Sequence, residues 1–219
     1  MSESGSRACP ACAHHVATPF FDGGEQPLAT IAWPETAADA HALPRLPVDF
    51  VQCVNCTHIY NAAFDYARVP YSSKPNLMFN RGTAWSAFIR NLQGRILARI
   101  PAKPVVVEIG HGDAGLIAAL AALRPGGRYI GFDPHGATGN HGEVELRAEL
   151  FDPSVHVAAL APDIVISRHV LEHLSSPVSF LQWIAFAAAE SGRDVQAYLE
   201  VPCVDRVQET GRTVDFYYE

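Results

Sequence analysis

Five cysteines stand at positions 9, 12, 53, 56 and 203, and four of them form two close pairs, C-P-A-C and C-V-N-C. A C-x-x-C turn points two thiolates at one ion, and two such turns complete a tetrahedral four-sulfur shell. Cys9, Cys12, Cys53 and Cys56 are therefore the expected ligands of a zinc ion. Four thiolates leave no position for water, so that zinc is expected to be structural, not catalytic. The rival reading, two unrelated pairs of buried thiols, is disfavoured by the doubled spacing. The gap between the pairs is nevertheless longer than in compact zinc ribbons. His14, His15 and His58 lie close by and, with four sulfurs available, read as surface or supporting groups. Cys203 reads as a buried apolar thiol.

A second stretch, "VVVEIGHGDAGL" over 105–116, satisfies two cofactor fingerprints at once. From Gly110 it is G-x-G-x-x-G, the dinucleotide pattern; from Glu108 it is E-x-G-x-G-x-x-G, the nucleoside loop of S-adenosylmethionine enzymes. Both need Gly110 for a tight turn and Gly112 for close backbone approach, so the glycines do not discriminate. Glu108 does. At the carboxyl end of a strand it is placed to accept from the ammonium of a methionyl group, whereas it would repel a pyrophosphate. The plain alternative is a carboxylate satisfied by backbone amides. Asp133, ending the next strand, can take both ribose hydroxyls of either cofactor.

Holding these groups requires an alternating sheet. After Pro104, "VVVEIG", "RYIGFDP", "EVELRAEL", "DIVISRH" and "DVQAYLEVP" read as five strands. "DAGLIAALAAL" reads as the first crossover helix and "SPVSFLQWIAFAAAESG" as the last. No helix is evident in "HGATGNHG". Residues 76–100 place Phe88, Ile89, Leu92, Ile96, Leu97 and Ile100 at helical spacing, a connecting helix stopped by Pro101. Residues 1–75 are Pro-rich and irregular. The expected fold is α/β: a Rossmann-like, doubly wound, mainly parallel sheet over 101–219, preceded by a small zinc-binding domain.

Composition narrows the partners. The 219 residues are 48% hydrophobic and carry a formal net charge of −7. No window clusters Lys and Arg as phosphate-backbone binding demands, so nucleic acid is a poor partner and a small-molecule substrate a better one. The longest apolar run, "LIAALAAL", is too short for a membrane span, and "MSESGSRACP" lacks a signal-peptide core. A cytoplasmic location is expected.

"VVVEIGHGDAG", "IGFDP", "DIVISRHVLEHLSSP" and "AYLEVP", in that order, resemble the successive motifs of class I S-adenosylmethionine-dependent methyltransferases. With "CPAC", "DGGEQPLAT", "VQCVNCTHIY" and "VPYSS" upstream, the chain is similar to the zinc-binding C-methyltransferases that act on nucleotide-linked keto-deoxysugars. The resemblance implies that Glu108, Gly110 and Gly112 contact the methionyl part, that Asp133 holds the ribose, and that Ser167, Arg168 and His169 line the cofactor. It implies that Tyr71 closes over the methyl group, and it leaves His173 of "LEHL" open between catalysis and structure. Tyr217 and Glu219 match the start of an acid/base region whose His would follow the last residue. The family continues into a C-terminal lobe, so the resemblance implies a chain cut short, which would bind the cofactor but transfer little methyl. The implied reaction is proton removal beside a carbonyl and attack of the resulting enolate on the sulfonium methyl. Rival readings are an O- or N-methyltransferase of another metabolite, a noncatalytic zinc and nucleoside-binding module, and a nicotinamide oxidoreductase, the last disfavoured by Glu108.

Overall fold

A computed structural model describes residues 8–27, 34–68, 82–203, 205, 209 and 210. The chain divides into two compact units, one built on residues 1–76 with 172–179 and 202–219, the other on 77–171 and 180–201.

In the first unit, β1 (Ala17–Pro27) is followed by the short helix α1 (Ala37–Ala42), then β2 (Arg45–Cys53) and β3 (Ile59–Asn61). The strands form an antiparallel sheet in the order β1-β2-β3. The expectation of an irregular N-terminal region is thus corrected. Period-2 alternation was present in "RLPVDF", where Leu46, Val48 and Phe50 turn inward. The prolines stand where they remove few ladder bonds, and β1 is an edge strand whose register shifts twice, between Pro19 and Phe21 and between Asp22 and Gly24. Asn61 locks the inner corner: its Oδ1 accepts from the backbone N–H of Asp49 and Ala63, and its Nδ2 donates to the Pro47 carbonyl.

The second unit begins with α2 (Thr83–Leu97), which buries Leu92 and Ile96 and leaves Phe88 exposed. Alternation follows: β4 (Val105–Ile109), α3 (Gly115–Leu123), β5 (Arg128–Phe132), β6 (Gly139–His141), β7 (Val144–Arg147), α4 (Pro153–Leu160), β8 (Ile164–Arg168), α5 (Pro177–Glu190) and β9 (Gln196–Glu200). The sheet order is β6-β7-β5-β4-β8-β9, all parallel except β6, which pairs antiparallel with β7. All five expected strands are present, and "HGATGNHG" holds the hairpin strand β6 in place of a crossover helix.

Successive strand residues divide between two cores. Val106, Tyr129, Ile164 and Ile166 pack with α2 and α3, while Val107, Ile130, Phe132 and Val165 pack with α4 and α5. Helices therefore cover both faces, the doubly wound three-layer arrangement. Because β5 and β8 flank β4 on opposite sides, the chain leaves the carboxyl end of β4 at the point where the winding reverses. That is where α/β sheets of this type open a ligand crevice.

Candidate functional site

The β4–α3 loop occupies that crevice. Gly110 has φ +68° and Gly112 φ +54°, the left-handed region that costs a side-chain-bearing residue about 1–2 kcal/mol. Space is also short at the first of them: a Cβ on Gly110 would overlap Cγ2 of Val170. The loop is tied to the next strand, since the Gly110 N–H donates to the Phe132 carbonyl (2.7 Å). The Gly112 N–H donates to Asp133 Oδ2 (3.0 Å), and the His135 N–H to Oδ1 (3.0 Å). Asp133 is thereby held at the end of β5 with one further acceptor direction on each oxygen, as a vicinal diol requires.

Glu108 stands on the α2/α3 side of β4, between Gly131 of β5 and Ile166 of β8. Its side chain is buried, and Oε2 has no hydrogen-bond partner among the described residues. Burial pushes its carboxyl up to about 8, with the Arg168 charge and the Ile117 backbone pulling the other way and Asp113 and Asp133 adding to the rise. A buried carboxylate with one oxygen unpartnered is costly. An ammonium group from a ligand would supply both charge and hydrogen bond; a phosphate would supply neither. The residues present therefore fit an aminoacyl nucleoside better than a dinucleotide.

At the end of β8 the three residues of "SRH" diverge. Ser167 is buried, and its Oγ has no partner among the described residues. Arg168 turns to Glu200 of β9, donating Nε to Oε2 (3.1 Å) and Nη2 to Oε1 (3.0 Å), with its guanidinium 5.4 Å from the centre of the Trp85 ring. His169 adopts φ +54°, donates its N–H to the Glu200 carbonyl (2.8 Å) and places Nε2 3.0 Å from Oε1. Tyr198 donates its hydroxyl to Oε2 (3.0 Å). Burial alone would raise the Glu200 carboxyl; hydrogen bonds from His169, Arg168 and Tyr198 and the Arg168 charge hold it at about 2. Glu200, which the sequence reading did not single out, is the shared partner of this network. Its only signal was its place at the end of a buried strand beside another strand end rich in cations.

His173 closes a single helical turn, Leu171–His173, directly after β8 and is half-buried. Tyr71, Tyr217 and Glu219 lie outside the described residues.

In the N-terminal unit the two cysteine pairs converge. The four Sγ atoms lie within 4.8 Å of one another, with Cys9 to Cys56 at 3.7 Å and Cys12 to Cys53 at 3.6 Å. A tetrahedral zinc with bonds of about 2.3 Å separates its sulfurs by about 3.8 Å, so the cluster fits the ion. The two turns repeat one backbone geometry. The N–H of Cys9 donates to the His14 carbonyl and that of Cys53 to the His58 carbonyl. The residue after each second cysteine, Ala13 or Thr57, bonds back to the first at φ +59° or +62°. The first turn precedes β1, and the second joins β2 to β3. The pairing of Ala17 with Cys53 then brings them together, which explains the long gap: it holds β1, α1 and most of β2. Burial pushes the Cys9 thiol up to about 12, while the Asn55 amide hydrogen-bonded to Cys12 Sγ (3.5 Å) leads in bringing that thiol down to about 6. Sulfurs this close cannot all ionise without a cation. Cys203 is exposed, a correction to its reading as a buried thiol, because it follows the last strand and not its core-facing run.

A doubly wound sheet with a glycine loop, a ribose-type acid and a buried carboxylate suited to an ammonium defines a nucleoside-cofactor enzyme of the aminoacyl type. Residues 81–218 match the methyltransferase domain family, and the chain belongs to that family: it is an S-adenosylmethionine-dependent methyltransferase. No curated protein matches the chain. No helix among the described residues is long and apolar enough to cross a membrane.

Proposed function

We propose that the protein methylates carbon in a small keto substrate of the nucleotide-linked deoxysugar type. The observation that carries this reading is the joint presence, in one chain, of the converging four-cysteine cluster and the Glu108–Asp133 crevice, the combination on which the resemblance to sugar C-methyltransferases rests. When bound, S-adenosylmethionine supplies a methyl group on a positively charged sulfur. Glu108 receives the ammonium, and Asp133 fixes the ribose through its two remaining acceptor directions. Gly110 and Gly112 allow the backbone to approach closely. Ser167 and His169 line the β8 end of the crevice, with Glu200 holding Arg168 and His169 in place. Such positioning is worth more than any single chemical group when two reactants must meet in line. Proton removal beside the substrate carbonyl falls to His173 or to Tyr217 and Glu219, with Tyr71 closing over the methyl group and the oxyanion stabilised as it develops. The zinc takes no chemical part.

The test separates carbon from heteroatom methylation. Nucleotide-linked keto sugars deuterated beside the carbonyl are incubated with the protein and S-adenosylmethionine, and products are weighed by mass spectrometry. Carbon methylation gains a methyl and loses a deuteron; O- or N-methylation keeps the deuterium and overturns the proposal. Calorimetry with S-adenosylhomocysteine and NAD tests the cofactor separately.

A further inference from the structure

His111, between the two loop glycines, is used by none of the roles above. Its side chain is 4% exposed. Nδ1 stands 3.2 Å from the Gly112 carbonyl, which only accepts, so Nδ1 carries a proton; Nε2 has no partner among the described residues. A buried ring that served only to fill space would be better apolar.

The ring lies where two glycines leave room for it. A Cβ on Gly131, in the middle of β5, would come within 2.9 Å of His111 Cδ2. A Cβ on Gly136 would come within 2.5 Å of Cε1 and 2.8 Å of Nε2, and equally within 2.8 Å of Asp133 Cβ. Gly136 in turn donates its N–H to the Asp133 carbonyl (3.1 Å), while Gly112, to which the ring is bonded, donates to the Asp133 carboxylate (3.0 Å). Asp133 is therefore held from two sides, at its side chain by one glycine and at its backbone by another, and the imidazole spans the space between them.

We infer that His111 is a positioning residue for ribose recognition: its ring props the 133–136 turn against the glycine loop and so fixes the direction of the Asp133 carboxylate. The inference rests on the reading of the crevice as an adenosyl nucleoside site. His111 touches no ligand; it acts through Asp133.

A positioning role differs from plain packing in what it changes. Loss of packing weakens every ligand alike, whereas a misdirected Asp133 weakens only ligands that carry the ribose diol. The experiment measures dissociation constants for S-adenosylhomocysteine and its 2′-deoxy counterpart by calorimetry, in the wild type and in His111→Ala, Gly131→Ala and the double variant. Loss of a hydrogen bond to a charged group sets the expected wild-type preference for the ribo ligand at about tenfold or more. Each single variant is expected to cut that preference to below about threefold, His111→Ala by removing the prop and Gly131→Ala by pushing the ring aside. In the double variant the new methyl has no ring to displace, so the ratio stays at that of His111→Ala alone. Equal weakening of both ligands in the single variants, with the ratio unchanged, overturns the inference while leaving the cofactor reading intact. Failure of the wild type to bind either ligand overturns both. Gly131→Ala adds one methyl outside the left-handed region, against the His111 ring and the Leu146 side chain, so it keeps the test available if His111→Ala does not fold.

Discussion

Glu108→Gln replaces the titrating carboxyl of the crevice with an amide, and its effects can be worked out in advance. With the carboxyl at about 8 in the folded protein and about 4.5 when unfolded, the native state binds more protons than the unfolded chain throughout that window. Stability supplied by this group is complete below pH 4.5 and is lost as pH rises through 8. A tenfold difference in proton affinity is worth about 1.4 kcal/mol, so the wild type should lose on the order of 3 kcal/mol relative to the variant between about pH 5.5 and 8.5. For a chain of this size that is roughly 6–12 °C in melting temperature. The amide has its own burial cost, which offsets the variant's curve by a constant; the slope is unaffected. The ligand reverses the balance. A group at about 8 is about nine-tenths protonated at pH 7, and an ammonium drives it to ionise, so binding of S-adenosylhomocysteine should release close to one proton at pH 7 and about a quarter of one at pH 8.5. Calorimetry in buffers of different ionisation enthalpy reads that number directly. Glu108→Gln should release none and bind about 10- to 100-fold more weakly, the value of one charge-assisted hydrogen bond. Parallel stability curves for the two proteins, or binding without buffer dependence, would rule out a protonated Glu108 that ionises to receive the ligand.

Cys53→Ser should abolish stoichiometric zinc, read by native mass spectrometry, and melt the N-terminal unit at a lower temperature, because three sulfurs leave the shell open. Thr57→Gly should raise stability by about 0.5–1 kcal/mol in chemical denaturation, since it relieves a β-branched residue of φ +62° while keeping the bond to Cys53. Glu200→Gln should cost about 2 kcal/mol at neutral pH by freeing Arg168 and His169 from their shared partner. Because the Glu200 carboxyl is held at about 2, its contribution is present above pH 4.5 and fades as pH falls toward 2, so the difference between the proteins should shrink over that range.

Local signals carried a good deal. The cofactor loop is readable because its chemistry is contiguous: a buried β-branched strand, two glycines that must turn left-handed, and an acid one strand later are all fixed within about 30 residues. The four-cysteine cluster is readable because each C-x-x-C knuckle is a four-residue unit. Two omissions also had local signals. The helix α4 begins at Asp152, whose side chain caps the Ser154 N–H, with Pro153 at its first position, a start that "FDPS" spelled out. The N-terminal sheet was hidden by its prolines, although "RLPVDF" alternated as a strand should.

Matters of juxtaposition had no such signal. Glu200, Arg168, His169, Tyr198 and Trp85 come from β8, β9 and α2, and only the parallel register of Arg168 with Glu200 makes them one network. His111 looked like filler between two glycines until Gly131 and Gly136 were seen to make room for its ring. The charge state of Glu108 belongs to the same class. A carboxylate in a sequence is simply acidic; burial at the centre of a six-stranded sheet, with one oxygen left unpartnered, pushes its carboxyl up to about 8, so its charge depends on what lies beside it. Residue types and spacing fix which backbone shapes and ligand sets are possible. Desolvation and cross-strand contact decide which of those groups hold charge, and both exist only once the sheet has closed.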